Sequence, residues 1–197
     1  MPEPITQTAA IEAARPRGIR LYERRLGKIE LRGDPGDRLF MAAVGRTLDV
    51  LLPGEPNTTA ARGDLTALWL GPDAWLMTCP PGELAAHIVS LREALADVHA
   101  AVTDISDGRV ALRLGGPSAR DVLAKGCPLD LHPRAFAAGR CAQSLLAKAS
   151  VLVHLLAEDA KRGPTFDLYV ARSFAHYLWA WLEDAGREYG VPVEAPD

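Results

Sequence analysis

The hydrophobic positions of this chain recur at two different periods, and the switches between them predict where strands give way to helices. From Tyr22 to Arg32 the pattern suits an extended strand, which Gly33, Asp34 and Pro35 then break. Helical spacing follows from Gly36 to Val44, with Leu39, Phe40, Ala43 and Val44 on one face. The stretch from Leu52 to Gly63 is rich in Pro, Gly, Thr and Asn and is expected to be a surface loop. Leu65 to Leu70 and Ala74 to Thr78 form two short strand candidates that meet at a turn around Gly71, Pro72 and Asp73. Beyond Pro80 and Pro81, the residues Leu84, Ile88, Leu91, Leu95 and Val98 recur at three and four, which marks an amphipathic helix lying on a sheet.

The second half repeats this order. Ala101 to Ile105 and Val110 to Leu114 are short strand candidates, and Asp107 with Gly108 between them favours a tight hairpin because both positions tolerate positive φ. Gly115, Gly116 and Pro117 then start a helix through Ala119, Val122 and Leu123, as Gly33, Asp34 and Pro35 did earlier. Further strands are expected at Ala142 to Lys148, Val151 to Leu156 and Phe166 to Val170, before a last helix on which Phe174, Leu178, Trp181 and Ala185 align. Two such pseudo-repeats, over about 22–100 and about 101–188 of a domain at 19–190, predict an α+β fold. It has mostly antiparallel sheets with packed helices and is internally duplicated.

Composition narrows the function classes. The 197 residues are 48% hydrophobic and 24% charged, which suits an ordinary globular chain with a real core. The formal net charge is −3 and Lys and Arg are scattered, so no footprint for nucleic acid or an anionic membrane is visible. Cys79, Cys127 and Cys141 lack CxxC spacing and suit reduced thiols. Residues 1–18 contain Pro2, Pro4 and Pro16 and lack a signal-peptide core, so a flexible N-terminal arm is expected there, with a tail at 191–197. No apolar stretch approaches the ~20 residues of a membrane span, so a soluble, cytoplasmic protein is expected.

Reactive constellations are sparse. There is no GxGxxG or GxxxxGK[ST] run, and Gly115, Gly116 and Pro117 suit a tight strand-to-helix turn better than a phosphate cradle. His87, His99, His132, His154 and His176 have neither HxH nor HExxH spacing, so no metal site is expected. His132 beside Asp130 suits a capped turn, and His154, inside an apolar strand, suits a satisfied core residue. Ser118 and Ser144 lack a local activating setting, and the carboxylates Asp104 with Asp107, or Glu183 with Asp184, are explained by solvation. No catalytic residue is expected in this chain.

The block GGPSARDVLAKGCPLDLHP at Gly115 to Pro133 resembles the gamma-subunit family of heterotetrameric sarcosine oxidase. So do LWLGPDAWLM at Leu68 to Met77, SDGRVALRL at Ser106 to Leu114, GRCAQSLLAK at Gly139 to Lys148 and TFDLYVARSFAHYLWAWLEDA at Thr165 to Ala185. GPSARDVL and FDLYV are also similar, more distantly, to the folate-binding domain of the aminomethyltransferase group. The resemblance implies a complex that oxidatively demethylates sarcosine to glycine, passes the methyl carbon to tetrahydrofolate and releases hydrogen peroxide. It implies alpha, beta and delta subunits as partners, with FAD, FMN, NAD and zinc in those other subunits and none in this chain.

In the aminomethyltransferase group the strand matching FDLYV carries a Glu that helps bind the pterin, so the resemblance makes Asp167 the vestigial folate-site candidate here. The group's glycine-rich approach is replaced by Lys161, Arg162, Gly163, Pro164 and Thr165, which favours a retained scaffold over a working pocket. On the last helix, Trp179 is expected away from the apolar stripe, facing solvent, and is the interface candidate. Two further readings stay open: an independent folate-binding, aminomethyltransferase-like protein, and a freestanding interaction domain.

Overall fold

The computed structural model describes residues 18–190, so the arm expected before Gly18 and the tail at 191–197 lie outside the described residues. In chain order the elements are β1 (Arg20–Arg24), β2 (Gly27–Gly33), α1 (Arg38–Leu48), β3 (Thr59–Arg62), β4 (Leu65–Gly71), β5 (Ala74–Cys79), α2 (Leu84–Ala94) and β6 (Ala100–Asp104). Then follow β7 (Arg109–Gly115), α3 (Ala119–Ala124), β8 (Arg140–Leu146), β9 (Ala149–Asp159), β10 (Gly163–Ala171) and α4 (Arg172–Gly186). Two five-stranded antiparallel sheets result. Sheet I has the order β1-β7-β10-β9-β8, and sheet II the order β3-β4-β5-β2-β6.

Strand alternation sends each sheet's apolar residues to two destinations. From sheet I, Leu112, Leu114, Val153, Leu155, Phe166 and Leu168 pack against Val122, Leu178 and Leu182 of α3 and α4. From sheet II, Ile29, Leu31, Trp75 and Met77 pack against Phe40, Val44, Ile88 and Leu91 of α1 and α2. The intervening residues of the two sheets, Leu68 and Leu76 with Ala111, Cys141, Leu152 and Tyr169, meet each other. The molecule is therefore layered helix, sheet, sheet, helix, with three apolar seams.

The duplication is visible in the wiring. Sheet II is built from β2-α1-β3-β4-β5-α2-β6 and sheet I from β7-α3-β8-β9-β10-α4, in matching spatial order, with β1 standing where β6 stands in the other sheet. The stretch expected as one strand from Tyr22 to Arg32 is thus two, divided at Arg25 and Leu26 and shared between the sheets. Nor do Asp107 and Gly108 close a hairpin. A turn forms, with Gly108 N donating to Ile105 O at 3.0 Å, but β6 pairs with β2 and β7 pairs with β1 and β10, so the turn carries the chain from one sheet to the other. Turn chemistry fixes a local reversal; which neighbours the strands then take is decided by burial.

Smaller differences have similar causes. The loop expected from Leu52 to Gly63 contains the edge strand β3, whose burial pattern is only partial. On α1 the buried face is Phe40, Ala43, Val44 and Leu48, while Leu39 is 70% exposed. On α4 the buried stripe runs through Leu178 and Leu182, and Phe174 lies outside it. Trp179, expected to face solvent, is only partly exposed. It is half-buried against the sheet I core, because it stands four residues after Ala175 and three before Leu182 and so flanks their stripe.

Three backbones meet at one end of sheet I. Gly116 has φ +123, and a Cβ built there would stand 2.4 Å from Gly18 O and 2.9 Å from Ile19 Cα. Gly163 has φ +76, and its Cβ would stand 2.6 Å from Gly116 C and Pro117 N. Gly116 N donates to Pro164 O at 3.1 Å and Ser118 N to Gly18 O at 3.3 Å, which ties the entry to β1, the turn before α3 and the start of β10 together. The expected tight strand-to-helix turn at Gly115, Gly116 and Pro117 is this junction.

Candidate functional site

The register of sheet I places one side chain from each of its five strands in a transverse row facing sheet II. Tyr22 stands opposite Arg113, Arg113 opposite Asp167, Asp167 opposite His154, and His154 opposite Cys141. Charges this deep between two sheets must neutralise each other. Arg113 and Asp167 do so in a two-pronged pair: Nε donates to Oδ1 and Nη2 to Oδ2, each at 2.7 Å. Their side chains are 15% and 3% exposed. Burial alone would lower the Arg113 value, but the hydrogen bonds and charge of Asp167 outweigh it and hold the guanidinium above its ordinary range.

Asp167 is thus where the sequence placed it, on a strand and buried, with both carboxylate oxygens already engaged. Next to it, His154 is 5% exposed and its Nδ1 has no hydrogen-bond partner among the described residues. It is a core residue as expected, but not a satisfied one. Burial pulls its value down to about 4, with the attraction of Asp167 opposing and the repulsion of Arg113 assisting. At the end of the row, Cys141 Sγ lies 3.4 Å from Thr58 O and 3.7 Å from Trp69 O, and burial pushes the thiol up to about 11. Tyr169, two residues after Asp167, is raised by burial and by Asp167, against a hydrogen bond to Thr78 across the seam.

The low His154 value has a consequence for stability. Unfolded, the imidazole takes up a proton near pH 6.5; folded, it stays neutral until about pH 4. Between those values the unfolded state binds more protons, so stability drops as pH falls through this window and levels off below it, by on the order of 3 kcal/mol in all. Urea unfolding at pH 7 and pH 4.5 should show that loss, and His154→Phe should remove most of it. An unchanged pH slope in the variant would rule His154 out as its source.

A second buried cation, Lys28, is 4% exposed and donates from Nζ to Leu26 O at 2.8 Å. Burial lowers it, while Glu23, Asp104 and Asp107 oppose that. Asp104 therefore has a task besides solvation: its Oδ1 also accepts from Ser106 N at 2.9 Å, which shapes the turn into β7. His132 sits in the expected capped turn, its backbone N–H donating to Asp130 Oδ1 at 3.0 Å and its Nδ1 accepting from Arg134 N at 3.3 Å. Ser118 is buried in the glycine junction, and Ser144 lies 3.9 Å from Cys127 Sγ. Among the described residues no cluster of three or more His, Cys, Asp or Glu is placed to hold a metal ion.

Arg113 and Lys28 are the residues the sequence reading passed over. A signal for the first was present. The strands within SDGRVALRL and TFDLYV are apolar on both faces at their centres, where each face-inward run is interrupted by a charge of opposite sign, Arg113 on one and Asp167 on the other. Strands of that kind, if neighbours, pair those charges.

The layered, duplicated architecture has the fold seen in an aminomethyltransferase. It superposes on glycine cleavage system aminomethyltransferase T from Bartonella henselae with a TM-score of 0.62 at 17% identity, covering 92% of this chain and 48% of that one. Within that fold class the chain belongs to the sarcosine oxidase gamma subunit family, whose pattern matches residues 32–188. The sarcosine oxidase subunit gamma of Corynebacterium sp. (strain P-1) is 37% identical over 164 residues, 82% of this chain and 76% of the relative. A chain of the heterotetrameric sarcosine oxidase from Corynebacterium sp. U-96, solved in complex with pyrrole 2-carboxylate, superposes with a TM-score of 0.79 at 32% identity, over 94% of both chains.

Proposed function

We propose that this chain is a noncatalytic gamma subunit that helps hold a heterotetrameric sarcosine oxidase together. The complex oxidatively demethylates sarcosine to glycine, with tetrahydrofolate as one-carbon acceptor and release of hydrogen peroxide. Alpha, beta and delta subunits are its partners and carry FAD, FMN, NAD and zinc. Support comes from the likeness, at nearly full length, to a chain of a heterotetrameric sarcosine oxidase. The observation that carries the noncatalytic reading is the Arg113–Asp167 pair. A carboxylate whose charge is already answered by a guanidinium on both oxygens, and whose side chain is only 3% exposed between two sheets, offers no open face to the paired N–H donors of a pterin. In this reading Asp167 is a structural partner of Arg113, and Trp179 supports α4 from its half-buried position.

The experiment is co-expression of the complex with and without this chain, beside the isolated chain. The isolated chain should be colourless, inactive toward sarcosine and without heat of binding for tetrahydrofolate, and omitting it should leave the remaining subunits incompletely assembled. A flavin absorption band that stays with the isolated chain through gel filtration, or calorimetric binding of tetrahydrofolate, would overturn the proposal.

A further inference from the structure

Sheet II does not cover the whole inner face of sheet I. The seam residues Leu152 and Tyr169 meet sheet II, and Gln143 Nε2 reaches Leu70 O at 2.7 Å. Beyond that line the same face of sheet I continues through Arg109, Ala171, Ser150 and Leu145 as the floor of an open groove of about 490 Å³. Four adjacent strands contribute to it, so it spans about 14 Å from Arg109 on β7 to Leu145 on β8.

Three properties of this groove point to a protein segment as its occupant. The first is charge. Arg109 lies in the groove, Arg172 follows Ala171 and donates its backbone N–H to Gly108 O at 2.9 Å, and Lys148 forms the β8–β9 turn. None of the three side chains has an ion-pair partner among the described residues. The nearby acid, Asp107, is exposed and its charge also bears on the buried Lys28.

The second property is exposed apolar area. Six large hydrophobic side chains are exposed among the described residues, and three of them gather at this end of sheet I: Leu145 at 52%, Phe174 at 44% and Tyr177 at 37%. Phe174 and Tyr177 meet edge to face at 6.5 Å, and Tyr177 Oη accepts from Lys148 N at 3.3 Å, which places both beside the β8–β9 turn, on the helix-bearing face of sheet I.

The third is a free strand edge. β8 ends sheet I, and its first residues are closed off by the segment before β3, with Cys141 N donating to Asn57 O at 3.0 Å and Thr59 N to Gly139 O at 3.2 Å. Backbone groups alternate sides along a strand, so the N–H and C=O of Gln143 and Leu145 point the same way as those of Cys141, away from β9. No backbone partner meets them there among the described residues. An unpaired edge beside an apolar patch is a template for an added strand.

We propose that this groove is where the chain is held in its complex, by an extended, acidic segment of a partner subunit. The segment lies against the free edge of β8, sets alternate apolar side chains on Leu145 on the groove face and toward the Phe174–Tyr177 pair on the other, and brings carboxylates to Arg109, Arg172 and Lys148. This rests on the assembly role proposed above and gives that role a surface.

The test uses the full set of subunits co-expressed with an affinity tag on this chain. The double variant Arg109→Glu with Leu145→Asp should retain at least tenfold less of the partner subunits than the unmodified chain. A control pair, Leu39→Asp with Leu51→Asp, exposed on and just after α1, should retain as much as the unmodified chain. Urea unfolding of the isolated variants checks that the fold persists. A photo-crosslinking residue at 145 then identifies the occupant whether or not the charge variant folds. A crosslink to an acidic, extended segment of a partner subunit supports the proposal. A crosslink to a second copy of this chain, or none, overturns it, as does undiminished capture by the double variant. Should the unmodified chain itself capture no partner, the assembly role falls as well, so the two failures are told apart.

Discussion

Asp167→Ala is expected to cost about 3–5 kcal/mol of folding stability, the largest effect of any single substitution in the seam between the sheets. The loss does not measure the worth of an ion pair. It comes from stranding Arg113, whose guanidinium would keep its charge in a place only 15% exposed with no counter-charge opposite it. His154 would feel the change too, since Asp167 is what opposes the lowering of its value. Asp167→Asn should be nearly as damaging, because it leaves an acceptor but no charge. The informative companion is Arg113→Met with Asp167→Leu, which removes both charges and keeps the volume. It should recover most of the lost stability, with a coupling of several kcal/mol in the double-mutant cycle. Urea unfolding at pH 7 of the unmodified chain, Arg113→Met, Asp167→Leu and the double variant closes the cycle, and losses that simply add would show that the two side chains do not act as a unit.

Gly116→Ala is expected to destabilise the chain by about 3–5 kcal/mol, through backbone rather than side-chain contacts. At φ +123 an alanine is strained wherever it is put, and here its methyl would stand 2.4 Å from Gly18 O. A flexible side chain could swing aside; a carbonyl held by Ser118 N at 3.3 Å cannot do so cheaply. Gly18 offers the contrast. It too has positive φ, +137, but among the described residues nothing lies within 4 Å of its absent Cβ, so Gly18→Ala should cost only the backbone strain. Thermal unfolding of the two variants separates strain from collision. Equal losses would mean that the close approach at Gly116 relaxes freely.

How much of this was legible in the sequence depended on whether the determinant was local. β4, β5, β7, β9, β10 and α2 follow from alternation and from three-and-four spacing, and the structure places them within a few residues of the expected ranges. The α+β class and the doubled order of elements followed from the same patterns. What local pattern could not supply was partnership. The split of 22–32 into two strands belonging to different sheets depends on which edges are vacant in the folded molecule, and Leu26 gives no sign that it sits in a seam. The stripe expected on α4 ran through Phe174, Leu178, Trp181 and Ala185; Leu178 is buried as expected, but Leu182 joins it and Phe174 is exposed, which turns the buried face toward Trp179. For the candidate site, Asp167 was found through its resemblance to a binding position, whereas its partner Arg113 needed only the observation that a charge on a strand covered on both faces has to be answered.

The position of β1 carries a consequence for synthesis on the ribosome. Sheet II and its helices are encoded in one uninterrupted run, from β2 through β6, and can close as soon as that run has left the exit tunnel. β1 precedes that run but belongs beside β7, which starts only at Arg109. A nascent chain therefore passes through a stage in which one half has folded with its inner face still wet, while a strand already made waits for neighbours not yet translated. The order of translation, set by where a single strand is wired, makes that interval the one in which this chain most needs protection.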